Sequence, residues 1–410
     1  MTGENKPFNR WLIVVGALMI QLCLGAIYAW SVFRKPLEQE LNITSTQASL
    51  PFSFVLIFFA LATVLGGRLQ DRFGPRIVAI IGGVLLALGM ILASFAHSIG
   101  MLVLAYGVIS GIGIGFAYVC PISAGVKWFP DKRGLITGLA VAGFGAGALI
   151  VGPLARAMID SLGVFTTFRY LGSAYFILIL VGALILRNPP LGYKPENWHP
   201  PQPAAGSLLR TDFSAGQMLS TAQFYFIWLT YFAGCAAGLM IIGQTSPIAQ
   251  ELAHFSKETA ALGVSVLAVF NALGRIFWGR ISDTIGRTRA LFLMFLINAL
   301  AIFGYFLIPA TPFIFWVGIA LVGSSFGGYL AIYPAVTADF YGTKNSGINY
   351  GLVFTAYGVG GLLSNIFAPR MKELTGNYNA AFLITALLCV VAGIIIITVK
   401  PPAVRSKPAT

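Results

Sequence analysis

Arg275 is the residue whose type and place most demand a chemical explanation. It stands in "NALGRIFWGRISDTIGR" (271–287), inside an apolar run. A cation at the centre of a membrane helix costs about 3 kcal/mol unless it faces a cavity and has a partner. No Asp, Glu or His is evident inside an apolar run to neutralise it. A guanidinium stays protonated and presents a planar fork of donors, a shape that takes a carboxylate through two hydrogen bonds. Arg275 is therefore expected to hold the carboxylate of a substrate. The plainer readings are a side chain snorkelling to the helix end and a structural ion pair.

Asn271 lies one turn earlier on the same face. It can donate to a substrate, hold the guanidinium or make a polar contact between helices. Five tyrosines also fall within apolar runs: Tyr28, Tyr118, Tyr329, Tyr333 and Tyr357. A buried phenol needs a hydrogen-bond partner, so each is a candidate substrate contact or a packing residue. Leu24, Phe144, Phe326 and Phe354 are candidates for an apolar wall around a short alkyl group, or for ordinary core.

The composition says what must position these residues. The 410 residues are 57% hydrophobic and 10% charged, against about 25% charged in ordinary soluble domains. The stretch 11–30 carries no charge at all and is long enough to cross a bilayer. About twelve such spans recur, near 11–33, 46–66, 77–96, 100–122, 134–156, 166–187, 223–245, 259–279, 290–309, 313–337, 347–369 and 378–399. In lipid every backbone polar group needs an internal partner, so the spans are expected to be helices. The fold class is all-α and polytopic.

The net charge of +13 is distributed as topology. Of the 26 Lys and Arg, eighteen fall on the side of the termini and seven on the other, with Arg275 between. That bias predicts cytoplasmic termini in the plasma (cell inner) membrane and implies no nucleic-acid partner. Trp11 opens a full-length span, which does not read as a cleavable signal. Cys23, Cys120, Cys235 and Cys389 all fall within spans, so no disulfide, metal or cofactor is expected.

The chain also repeats itself. "GGRLQDRFGPR" (66–76) matches "WGRISDTIGR" (278–287), with Gly67, Asp71 and Gly74 answering Gly279, Asp283 and Gly286 at an offset of 212. Pro121, Gly134, Gly138, Gly145 and Gly147 answer Pro334, Gly347, Gly351, Gly358 and Gly360 at an offset of 213. Two six-span bundles are expected, 1–187 and 219–410, joined by a Pro-rich cytoplasmic linker over 188–218. Folds built this way hold their site between the halves near mid-membrane. The two Gly-x-x-x-Asp loops read as tight turns. Asp71 and Asp283 can accept from helix ends, and Arg72, Arg76 and Arg287 can pair across the halves, so these five are expected to gate rather than bind.

The repeated Gly-x-x-x-Asp-Arg-x-Gly-x-Arg loop in twelve spans resembles that of the major facilitator superfamily. Within it, "KWFPDKRGLITGLAVAGFGAG" (127–147) and "GRIFWG" (274–279) resemble the monocarboxylate transporter family and its oxalate/formate antiporter branch. The resemblance implies that spans 1, 4, 5, 7, 8, 10 and 11 line a central cavity, that Arg275 is the substrate-binding arginine, and that Tyr118 matches a binding tyrosine. It implies a transporter rather than an enzyme, carrying small monocarboxylates of the lactate and pyruvate class with a proton, working as a monomer by alternating access. Two departures matter. Animal members have Asp where Asn271 stands, which leaves the proton route open. Oxalate-type members have Lys where Tyr357 stands, and a site with one cation suits a monoanion, because a second carboxylate would stay unpaired. Asp339, His254 and His97 are the nearest candidates for a proton carrier. The competing readings are an organic anion exchanger, a membrane enzyme, for which no catalytic set is evident, and a sensor, for which the tails are short.

Overall fold

In the computed structural model the described residues are 8–190, 192–195, 212–251, 255–307 and 311–402. Among them every regular element is helical. The first span is broken: α1 (Trp11–Gly25) passes through a 3₁₀ turn, Ala26–Ala29, into α2 (Trp30–Glu40). The second and third spans are α3 (Ser45–Phe73) and α4 (Pro75–Ala93). The fourth is assembled from α5 (Ile99–Leu102), a π-helical stretch Val103–Ser110 and α6 (Gly111–Trp128). Then come α7 (Arg133–Leu162) and α8 (Val164–Ile185). A short α9 (Ala215–Leu219) precedes the last six spans. These are α10 (Ala222–Glu251), α11 (Lys257–Ile285), α12 (Arg287–Leu307), α13 (Pro312–Tyr341), α14 (Ser346–Thr375) and α15 (Asn379–Thr398).

Among the described residues ten helical stretches are long and apolar enough to cross a membrane. α11 and α14 are just as long. They are also the helices that pack most closely across the molecule, α11 on α7 and α14 on α3. The outer surface is apolar: Leu61 is 59% exposed, Leu300 64% and Ile394 58%. A continuous surface of that kind is shed from water and suits lipid.

The repeat is visible as a reciprocal contact. Gly67 meets Gly347, and Gly134 meets Gly279, so tightly that a Cβ at any of them would collide with the partner's backbone. Gly67 answers Gly279 in the repeat and Gly134 answers Gly347, so the two contacts exchange places under it. The turns beside them need glycine for another reason. Gly74 and Gly286 have φ of +85° and +96°, where a side chain is strained, and each lets one helix stop and the next begin at once. We call the end of the molecule carrying these two turns the loop end.

Candidate functional site

Arg275 lies on α11 about 15 Å of helical rise from Ile285, well inside the molecule. It is 1% exposed. Its Nε donates to Asn271 Oδ1 at 3.0 Å, and one Nη donates to the carbonyl oxygen of Val141 on α7. The other Nη is buried and has no hydrogen-bond partner among the described residues. Nor is there a carboxylate within ion-pair distance among those residues. The i, i+4 spacing on a helix explains the Asn271 contact, and Gly145 of α7 lies against the guanidinium. The Phe144 ring centroid lies 6.0 Å from Arg275 Cζ.

Arg275 borders a small cavity of about 10 Å³, room for about one water molecule. Tyr28, Tyr118, Phe144, Phe354 and Tyr357, five of the candidates named from the sequence, line it. The Tyr28 and Tyr357 hydroxyls lie 2.5 Å apart, a hydrogen bond between span 1 and α14. Phe354 and Tyr357 stack at 4.9 Å. Two lining residues were not anticipated, Phe59 on α3 and Leu330 on α13. Phe59 is central to the wall, with ring centroids 4.9 Å from Tyr118, 5.2 Å from Phe354 and 5.9 Å from Phe144. The second span therefore lines the cavity where the seventh was expected. The sequence did not single out Phe59, because it is one of four phenylalanines, with Phe52, Phe54 and Phe58, in the same run.

Four other candidates are placed elsewhere. Tyr333 points to α10, donating to Thr230 Oγ1 at 2.8 Å and stacking on Tyr231 at 4.2 Å. Tyr329 packs beside Phe295 of α12 at 4.8 Å and against Gly234. The Phe326 ring lies against Gly238 of α10. Leu24 lines a separate apolar cavity with Ile27, Leu86, Met90 and Phe168. These four hold the bundles together and do not border Arg275.

At the loop end the two aspartates cap helices across the molecule. Asp71 accepts from the backbone N–H groups of Gly347 (3.1 Å) and Ile348 (2.9 Å) at the start of α14. Asp283 accepts from Gly134 (2.9 Å) and Leu135 (2.8 Å) at the start of α7. A carboxylate there meets both free N–H groups and the positive end of the helix dipole. The arginines differ from expectation. Arg72 and Arg76 are exposed and form no ion pair among the described residues, because both point outward at the α3–α4 turn. Arg287 pairs with Asp283 (2.5 Å) and Asp339 (2.9 Å), within its own half of the repeat. Among the described residues the ion pair that crosses is Arg133–Asp339, at 2.5 Å. Asp339 is thus held by two arginines, His97 is exposed on the surface, and His254 lies outside the described residues.

A polytopic helical protein with a buried cation between two closely packed sets of helices has the architecture of a membrane transporter, and the comparisons agree. The model of the Major Facilitator Superfamily matches residues 10–365. The chain belongs to that family and is a multi-pass membrane transporter. Among its relatives, an uncharacterised transporter of this superfamily from Escherichia coli, YhjX, is 30% identical, covering 88% of each chain. The oxalate:formate antiporter of Oxalobacter formigenes is 30% identical over 95% of this chain and 92% of its own. Monocarboxylate transporter 12 of Xenopus laevis is 26% identical over 97% and 91%. Among solved structures, the superfamily transporter FucP in its outward conformation superposes with a TM-score of 0.73 at 17% identity, covering 94% of this chain and 97% of that one.

Proposed function

We propose that this protein carries small monocarboxylates of the L-lactate and pyruvate class with a proton, in the cell's inner membrane, with Arg275 as the anchor for the carboxylate. One observation carries the reading: a fully buried guanidinium keeps one donor nitrogen without a partner and has no carboxylate beside it among the described residues. A substrate carboxylate supplies both the missing acceptor and the missing charge. Tyr118, Phe144, Phe354 and Phe59 enclose the short alkyl part. Asn271 holds the guanidinium in place rather than touching the substrate first.

Transport follows from halves that rock about this point, 1–187 against 219–410, with the linker over 188–218, both termini in the cytoplasm and the monomer as the working unit. The contacts of Asp71 and Asp283 close the cytoplasmic side and break when it opens. Co-transport of a proton removes the cost of moving an anion against the membrane potential, about 2.3 kcal/mol per 100 mV.

A second reading is exchange of organic anions. The similarity to an oxalate:formate antiporter favours it, as does a cavity wall in which the lining residues include no Asp, Glu or His. Uptake of labelled L-lactate into proteoliposomes decides between them. Accumulation driven by an inward proton gradient and lost in Arg275→Ala supports symport. Gradient-independent uptake into vesicles preloaded with an organic anion replaces symport by exchange. Unchanged uptake by Arg275→Ala ends both.

A further inference from the structure

A groove on the outer face of the molecule has a lining that is wholly apolar. It opens about 900 Å³ of space not filled by protein. Val15, Met19 and Leu22 of α1 form one wall, Leu273 and Ile276 of α11 the other, and Ala146 of α7 lies at the floor with Gly143. Val15 and Leu273 are 48% and 56% exposed. All three helices cross the membrane, so the groove faces lipid. It is also shared: α1 and α7 come from the first half of the repeat and α11 from the second.

Two cations stand where the groove runs toward the loop end. Arg280 follows Leu273 and Ile276 on the same exposed face of α11, at the i+7 and i+4 positions. Lys132, at the start of α7, places its Nζ 5.9 Å from the ring of Trp11, which is one turn below Val15 on α1. Neither cation has a carboxylate within ion-pair distance among the described residues. Trp11 itself is 43% exposed, an amphipathic ring of the kind that sits at headgroup level. By contrast Arg10, beside them, is already neutralised by Asp131 at 2.7 Å.

We propose that this groove is a binding site for one anionic phospholipid of the leaflet at the loop end, with an acyl chain between α1, α7 and α11 and the phosphate on Lys132 and Arg280. The apolar lining selects a hydrocarbon chain and the unpaired cations select negative charge. Because the two walls belong to different halves, the lipid seats fully only when α1 and α11 hold the spacing seen here. Anionic lipid therefore favours this closed arrangement of the loop end.

The test uses the purified full-length protein and native mass spectrometry, titrating dioleoyl phosphatidylglycerol against dioleoyl phosphatidylcholine. The native protein is expected to retain one phosphatidylglycerol in preference to phosphatidylcholine. Each cation near an anionic headgroup contributes about fivefold in affinity, so Lys132→Gln with Arg280→Gln lowers the preference by about 25-fold. Ala146→Phe and Leu273→Trp fill the groove from the floor and from one wall, and each is expected to lose the retained lipid of either kind. Leu273→Trp changes an exposed position and keeps the test valid where Ala146→Phe fails to fold. Equal retention of both lipids by the native protein overturns the proposal. So does a preference that survives loss of both cations, or retention unaffected by Leu273→Trp.

Discussion

At the scale of single residues the account rests on how Arg275 is held. Asn271 fixes Nε, the Val141 carbonyl fixes one Nη, and the other Nη remains for a ligand. Lysine keeps the charge and loses the planar fork. Arg275→Lys is expected to lower lactate uptake about 100-fold, roughly the 3 kcal/mol of a strong hydrogen bond to a charged group. Asn271→Asp tests the geometry from the other side. A carboxylate at that position faces Nε and competes with the substrate while ionised. Lactate affinity of this variant, measured by calorimetry, is therefore expected to rise as the pH falls and the Asp side chain is protonated; a pH-independent affinity argues against it. Arg275 was legible because one charge inside an apolar run has few bland explanations. Tyr329 and Tyr333 misled because every face of α13 is apolar, so spacing does not say which way a ring points. Their partners, Phe295 and Thr230, lie on other helices far along the chain.

At the scale of elements the loop end is built twice from unlike parts. Around Asp283 the contacts are ionic, running through Arg287 and Asp339 to Arg133. Around Asp71 there is a long ion pair, to Lys127 at 3.8 Å, and the contacts that cross the halves are made to neutral groups. Gln70 donates to Ser123 at 2.9 Å, and Ser123 meets Ser346 across the halves at 2.6 Å. The two sides are not expected to give way equally. Asp339→Asn leaves two arginines without their shared carboxylate. Removing one partner of a fully buried pair costs about 3–5 kcal/mol, and the 23% exposure of the Asp339 side chain discounts this to about 2 kcal/mol. Ser346→Ala removes one neutral hydrogen bond, about 1 kcal/mol. Spin-label distances between the loop ends of α7 and α11 should therefore lengthen in Asp339→Asn and change little in Ser346→Ala. Equal responses contradict the asymmetry. The Gly-x-x-x-Asp spacing announced both aspartates, because a short loop after an apolar run must cap something. The pairing of Arg133 with Asp339 stayed hidden because the two sit at helix ends outside that pattern and meet only in the folded chain.

At the scale of the whole molecule, closure is seen at the loop end, where the glycine contacts Gly67–Gly347 and Gly134–Gly279 bring the halves together. Tyr28 bridges to Tyr357 beside Arg275, in the wall of the same cavity. Helix number and the internal repeat were readable because apolar runs and an offset near 212 leave few alternatives. The depth of each side chain was not, since it depends on which helices the glycines bring close. Tyr28→Phe with Tyr357→Phe removes the hydrogen bond between span 1 and α14 and is expected to raise the rate of lactate exchange without abolishing binding, measured by counterflow. The most direct test of the central claim is equilibrium binding of L-lactate and oxalate to the purified native protein and to Arg275→Ala. With one unpaired cation in the cavity, lactate should bind more tightly than oxalate, and Arg275→Ala should lose at least about 100-fold of the lactate affinity while its thermal stability is kept. Tighter binding of oxalate by the native protein, or lactate binding unchanged in Arg275→Ala, would contradict the account.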